Sequence, residues 1–127
     1  MYPSELRYDR EHEWVRVADD VVVMGISHFA QDQLGEVVYV DLPAEGDTVA
    51  AGETFGEIES VKSVSELFSP VTGEVLKVND ALDDSPETVN EDPYGEGWMI
   101  EVKLTDPAEL DALLSAGDYE AFVNEEA

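Results

Sequence analysis

The chain has 127 residues, 43% of them apolar, no cysteine, and 31 acids against 6 bases, for a formal charge of −25. That balance excludes binding to a phosphate backbone, which takes clustered Lys and Arg, and the missing cysteine excludes disulfides, thiolate metal sites and a cysteine nucleophile. No apolar run approaches the roughly 20 residues of a membrane span. The opening Met-Tyr-Pro-Ser-Glu-Leu-Arg mixes charge with little apolar content, so the expectation is one domain over 1–127 that stays in the cytoplasm.

In chain order, His12 to Val17 alternates in the manner of a half-buried strand, and Asp19-Asp20 turns it into Val21–Ile26, making a hairpin. Ser27 caps a short helix over Ser27–Leu34, with Phe29, Ala30 and Leu34 as its apolar positions and Gly35 as its stop. Glu36–Leu42 is almost wholly apolar and is expected to be a strand buried on both faces, broken by Pro43 and the cluster Ala44-Glu45-Gly46-Asp47. Strands over Glu53–Glu59 and Ser65–Ser69 then form a hairpin whose tip is Ser60-Val61-Lys62-Ser63-Val64.

After a turn at Pro70–Gly73, the strand Glu74–Asn79 opens as Gly73-Glu-Val-Leu-Lys-Val78, echoing Gly35-Glu-Val-Val-Tyr-Val40. Two similar openings on either side of the Lys62 hairpin suit a sandwich of two similar halves. Asp80 to Gly97 reads as loop with one helical turn, and Trp98–Leu104 as the closing strand. Asp106-Pro107-Ala108-Glu109 starts a helix with Leu110, Leu113 and Leu114 on one face and Gly117 at its end. A last helix, capped by Asp118, presents Tyr119, Phe122 and Val123.

Material for catalysis is thin. Of the two histidines, His28 adjoins Ser27 and His12 lies between Glu11 and Glu13, but side chains adjacent in sequence point in different directions, which leaves little material for a triad or a histidine metal site. No phosphate-cradling or dinucleotide glycine pattern occurs, and acids so abundant make any single pair uninformative. The lysines are Lys62, Lys77 and Lys103. Lys77 and Lys103 sit in strands, where a solvated or paired charge explains them. Lys62 stands at a hairpin tip among small and β-branched residues, which suits either a solvated charge or a modified lysine.

Glu59-Ser-Val-Lys62-Ser-Val-Ser-Glu66-Leu-Phe-Ser-Pro70-Val-Thr-Gly73 resembles the lipoylation segment of glycine cleavage H proteins. The same family is echoed, in the same order, by His12-Glu13-Trp14, Gly25-Ile26-Ser27 with Ala30-Gln31 and Leu34-Gly35, Asn90 to Trp98, and Asp106 to Leu110. The resemblance covers essentially the whole chain. It implies a mainly β, lipoyl-domain-like flattened barrel or hammerhead sandwich of two similar halves. A short helix would lie in the N-terminal half, with a β core over about 11–104 and C-terminal helices over about 106–124.

The resemblance further implies a non-catalytic carrier with lipoate bound covalently to Lys62. That arm would take the aminomethyl group of glycine from a pyridoxal-phosphate glycine decarboxylase to a tetrahydrofolate-dependent aminomethyltransferase. A dihydrolipoyl dehydrogenase using FAD and NAD would reoxidise it, and a lipoate ligase or an octanoyl or lipoyl transferase would install it. Glu13 and Glu66 match acids that line the family's arm cleft, where a carboxylate would pair with a cationic amine; Glu11 stands where some relatives have a small hydroxyl residue.

Three other readings remain open from the residues. An H-like protein relaying lipoate to 2-oxoacid dehydrogenases would share these motifs, and an acidic interaction or mimic protein would have no use for Lys62. The third concerns the acids, which are spread along the chain and suit a halophile's cytosol, because the screening length falls to about 3 Å in molar salt. Repulsion of this size favours a monomer.

Overall fold

The computed structural model describes residues 2–126; Met1 and Ala127, the outermost positions of the expected 1–127 unit, lie outside the described residues. Among the described residues nine strands form two antiparallel sheets. The first runs in the order β1 (Arg7–Tyr8), β2 (Glu13–Ala18), β3 (Val21–Ile26), β9 (Ile100–Leu104), β8 (Gly73–Val78), β5 (Thr48–Val49). The second is β4 (Val37–Asp41), β6 (Thr54–Ser60), β7 (Val64–Phe68). The expected flattened barrel or sandwich thus takes the form of two open sheets, and β1 and β5 are short strands that the sequence pattern did not reveal.

Strand alternation explains where the core lies. On β2, Val15 joins Val22, Met24, Val75, Ile100 and Val102 in the cluster shared with Val37, Val40, Ile58 and Leu67 of the smaller sheet. Trp14 points the other way, into a second cluster with Leu6, Tyr8, Tyr119 and Val123. It pairs with Gly25 on β3, where a Cβ would come within 3.0 Å of the indole ring. That glycine is therefore fixed by the tryptophan lying over it. The indole N–H donates to the Pro93 carbonyl at 3.0 Å, so the ring is buried without an orphaned donor.

The segments echoing one another, at Gly35–Val40 and Gly73–Val78, fall on β4 and β8 in different sheets and supply Val37, Val40 and Val75 to one core. The strand expected to be buried on both faces is not. On β4, Val37 and Val40 are buried, but Val38 is 44% and Tyr39 53% exposed, and the pairing with β6 shifts between Val37 and Tyr39. The smaller sheet packs one face on the core and leaves the other wet, as the alternation on its central strand β6 also shows, so β4 has one buried face whatever its apolar composition.

The helices also depart from expectation in detail. In α1 (His28–Leu34) Ser27 caps as expected, its Oγ accepting the Ala30 N–H at 3.2 Å. The buried residue of α1 is Gln31, while Phe29, Ala30 and Leu34 are half-buried along a cleft. The expected loop at Asp80–Gly97 contains two short helices, α2 (Ala81–Asp84) and α3 (Thr88–Glu91). Asp106 and Pro107 do start a helix, but it is a 3-10 helix over Pro107–Ala112, and Leu114 leaves it to bridge Tyr8.

Gly117 terminates nothing and Asp118 caps nothing: both lie inside α4 (Ala116–Glu126). Ser115 starts that helix, its Oγ accepting the Asp118 N–H at 3.2 Å and its carbonyl the Tyr119 N–H at 2.8 Å. With Ser115 as the cap, Asp118 falls in the first turn and Gly117 inside the helix. Tyr119 and Val123 are buried as the apolar pattern requires, with Tyr119 stacked on Tyr8 at 4.6 Å.

Candidate functional site

The β6–β7 hairpin ends in a three-residue tip, and one buried hydroxyl organises it. Ser60 Oγ accepts the N–H groups of Lys62 at 3.2 Å and Ser63 at 3.1 Å, and donates to the Ser63 carbonyl at 3.3 Å. The Ser60 N–H closes the turn on Ser63 O at 2.8 Å, and the Val61 N–H reaches Glu36 O at 3.0 Å, tying the tip to the approach to β4. Lys62 is exposed on this braced tip.

The lysine stem runs over Gly35, where a Cβ would stand 3.1 Å from Lys62 Cε. Gly35 has φ 81° and ψ −155°, a region that is essentially glycine's alone. Asn90 on α3 fixes this floor. Its Nδ2 donates to Gly35 O at 2.8 Å and Gln31 Oε1 at 3.0 Å, while its Oδ1 accepts the Val37 N–H at 2.9 Å. One side chain thereby locks the end of α1 to the start of β4.

Beside the tip lies a cleft of about 580 Å³, within the size that holds a small ligand. Its walls are α1 (Phe29, Ala30, Gln33, Leu34), β7 with Ser63 ahead of it (Ser65 to Phe68), and the turn Glu11-His12-Glu13. The structure brings Glu13 and Glu66 to the same cleft. Lys62 is outside the lining, between Ser63 and the Leu34-Gly35 corner.

The two acids differ in kind. Glu66 is exposed, and its strand partner is Glu57, which in turn faces Asp41, so three acids stand in one cross-strand row. Glu13 is only 2% exposed. Its Oε2 accepts the Phe68 N–H at 2.9 Å. Burial pushes its carboxyl well above the usual range, and a hydrogen bond to the Asp9 carboxyl and the charge of Asp9 push the same way. Asp9 is raised as well, chiefly by burial. Glu11, which sequence placed here only by contrast with relatives, lines the cleft too.

His12 adopts φ 70°, uncommon for a residue with a side chain. Its Nδ1 meets Tyr119 Oη at 2.8 Å, and that hydroxyl meets Ser27 Oγ at 2.7 Å, so α4 buttresses the turn that carries Glu13. Lys77 and Lys103 stand directly opposite Glu101 and Glu74 on neighbouring strands, the arrangement of ordinary charge pairs. Among the described residues no group of three or more His, Cys, Asp or Glu could hold a metal ion.

Sequence reasoning missed Ser60, Asn90 as a floor pin, and Asp9. The signals were present but weak: a serine just before a tip, an Asn ahead of Asp-Pro, and an Asp two residues before Glu11, the spacing of an Asx turn.

A two-sheet β fold raising one lysine on a braced hairpin beside a ligand-sized cleft is the architecture of a carrier domain with a prosthetic arm. The profile described as Glycine cleavage H-protein matches residues 6–126, and the chain belongs to that family, whose members carry lipoate in glycine cleavage. It is 58% identical over 124 residues to the glycine cleavage system H protein of Anaeromyxobacter sp. (strain K), covering 98% of this chain and 97% of the relative. Identity to the corresponding protein of Bacteroides fragilis is 54% over 123 residues, covering 97% of this chain and 98% of the relative. The crystal structure of a glycine cleavage system H protein from Mycobacterium marinum superposes with a TM-score of 0.90 at 40% identity, covering 96% of this chain and 98% of that one. Among the described residues, no helix is long and apolar enough to cross a membrane.

Proposed function

We propose that Lys62 is the residue that carries lipoate, and that the chain shuttles the aminomethyl group of glycine from glycine decarboxylase to aminomethyltransferase, with dihydrolipoyl dehydrogenase restoring the arm. One observation carries this reading: Lys62 stands exposed on a tip fixed by Ser60 and Glu36, beside a cleft whose walls contain acids. Bound lipoate would supply the disulfide chemistry that a cysteine-free chain lacks.

The chain's own residues supply placement. The rigid sheet holds the attachment point while the long side chain turns, so each partner meets a tethered group at high effective concentration. Gly35 leaves room for the lysine stem, and the cleft beside Ser63 and Ser65 offers a place to shelter what the arm holds. Glu13 and Glu66 face that space, where carboxylates would suit a cationic amine. Attachment by a lipoate ligase or an octanoyl or lipoyl transferase turns the lysine into an amide and removes its charge. The chain acts as a cytoplasmic monomer, its surface charge suited to concentrated salt.

The test is release of carbon dioxide from glycine by glycine decarboxylase with this chain as the acceptor. Lipoylated chain should support turnover, whereas Lys62→Arg, treated identically, should not. Turnover with Lys62→Arg would remove the reading.

A further inference from the structure

Two clefts meet at the start of β2. Glu13 lines the larger; Asp9 lines a smaller one of about 290 Å³, and Glu11 and Phe68 border both. The wall between them therefore contains a pair of carboxyls held by a single turn. The Asp9 N–H donates to Glu13 O at 3.0 Å, and Asp9 Oδ1 accepts the N–H groups of Glu11 at 3.1 Å and Glu13 at 2.8 Å. On the other residue, Oε2 is occupied by the Phe68 N–H, while Oε1 is buried with no donor to satisfy it among the described residues. The Asp9 carboxyl is the side-chain group that Glu13 meets.

A buried carboxylate oxygen with no donor is costly, and two carboxylates in contact cannot both stay ionised in a buried wall. A proton on Glu13, donated to Asp9, removes both problems. The surroundings reinforce this. The same turn adds Glu11 and His12, β7 contributes Glu66 and the Phe68 N–H, and α4 brings the Tyr119 hydroxyl, itself sensitive to the Asp9 charge. The side chains of α1 that line the larger cleft, Phe29, Ala30, Gln33 and Leu34, do not titrate.

We propose that Asp9 and Glu13 hold one proton between them while the cleft is empty, Asp9 acting as the positioning residue that keeps Glu13 neutral, and that a primary ammonium entering the cleft displaces that proton to solvent. No covalent bond changes other than the O–H of Glu13: one proton leaves and one cation arrives, so the net charge of the site is conserved. The cleft then selects its occupant by charge. An uncharged arm meets a neutral Glu13, and an amine-bearing arm meets its carboxylate. The identity of that guest rests on the carrier reading above; the proton sharing does not.

The experiment is carboxyl carbon-13 NMR on the unmodified full chain. At pH 7 the Glu13 carbon should sit at the position of a protonated acid. In Asp9→Asn, where the amide can donate to Glu13, its proton affinity should fall about tenfold or more. An ionised Glu13 in the parent chain, or a titration unmoved by Asp9→Asn, overturns the proposal. Should Asp9→Asn fail to fold, Glu13→Gln serves, because its amide has the donor and acceptor of the neutral acid. The sign follows from linkage. A carboxyl whose proton is held more tightly in the folded state contributes stability that is complete below its unfolded pKa and lost as pH rises. Glu13→Gln should therefore melt at or above the parent at pH 7, with the advantage shrinking towards pH 4. A variant melting well below the parent at pH 7 overturns the proposal.

On lipoylated chain with an aminomethylated arm, the Glu13 carbon should move to the carboxylate position at constant pH. An unmoved carbon overturns the displacement. Absence of lipoate from Lys62 would instead sink the carrier reading and leave the NMR of the unmodified chain as it was.

Discussion

Gly35→Ala puts the floor beneath Lys62 to a quantitative test. At φ 81° and ψ −155° an L-residue is strained by about 2–3 kcal/mol. The new methyl also restricts the unfolded chain, which returns about 0.4–1 kcal/mol. The difference is a net destabilisation of about 1–2.6 kcal/mol, readable as a shift of the urea midpoint at constant slope. A second contribution is the contact of the new Cβ with Lys62 Cε at 3.1 Å. Lys62 is exposed and can swing aside, so this part should be small. A cycle with Lys62→Ala isolates it, and the coupling should stay below about 0.5 kcal/mol. Lipoylation of the folded variant should keep close to the parental rate, since the amine must leave Gly35 to be acylated in any case. If Gly35→Ala is as stable as the parent, the glycine requirement is wrong. A coupling above 1 kcal/mol would mean that the stem is held on the floor, not merely resting there.

Ser60→Ala removes an acceptor for two N–H groups at the tip; water can reach both, so the loss should be about 1 kcal/mol. Amide exchange at Ser60 should quicken about fivefold by that figure, and unchanged exchange would show that the hydroxyl does not brace the hairpin. Glu57 is the middle of the Asp41–Glu57–Glu66 row, so Glu57→Gln should stabilise in dilute buffer by roughly 0.2–1 kcal/mol. The gain should vanish in molar KCl, where screening reaches about 3 Å; a gain that persists there is not electrostatic. Burial raises Tyr94 to about 12 and Tyr8 and Tyr119 further. Their protons are held more tightly in the folded chain, so stability should be level up to about pH 10 and fall as pH climbs from there to 12. Tyrosinate absorbance of these rings should appear together with unfolding; its appearance at pH 10 in a folded chain would contradict their burial.

The hairpins, the Ser27 cap and the tip at Lys62 were legible in the sequence because each depends on neighbours in the chain. What failed depended on partners far away. Val38 and Tyr39 look like core by composition, but only the packing of the smaller sheet reveals that one of its faces is left wet. Gly117 is a local exception, since Ser115 just ahead of it starts α4 and carries the glycine inside the helix. Leu114 was assigned to a helix face, yet its backbone pairs with Tyr8 over a hundred residues away. In the site, Lys62 and Glu66 were found through motif resemblance, and Glu13 with them. Nothing local reveals that Glu13 is buried against Asp9, because the Phe68 N–H that fixes it comes from another sheet.

The most direct measurement is peptide mass spectrometry after incubation of the chain with lipoate ligase, ATP and lipoate. One lipoyl addition confined to Lys62, with Lys77 and Lys103 untouched, is the result the carrier account predicts. A Lys62 left bare under conditions that lipoylate another carrier, or an addition spread over the three lysines, would contradict it.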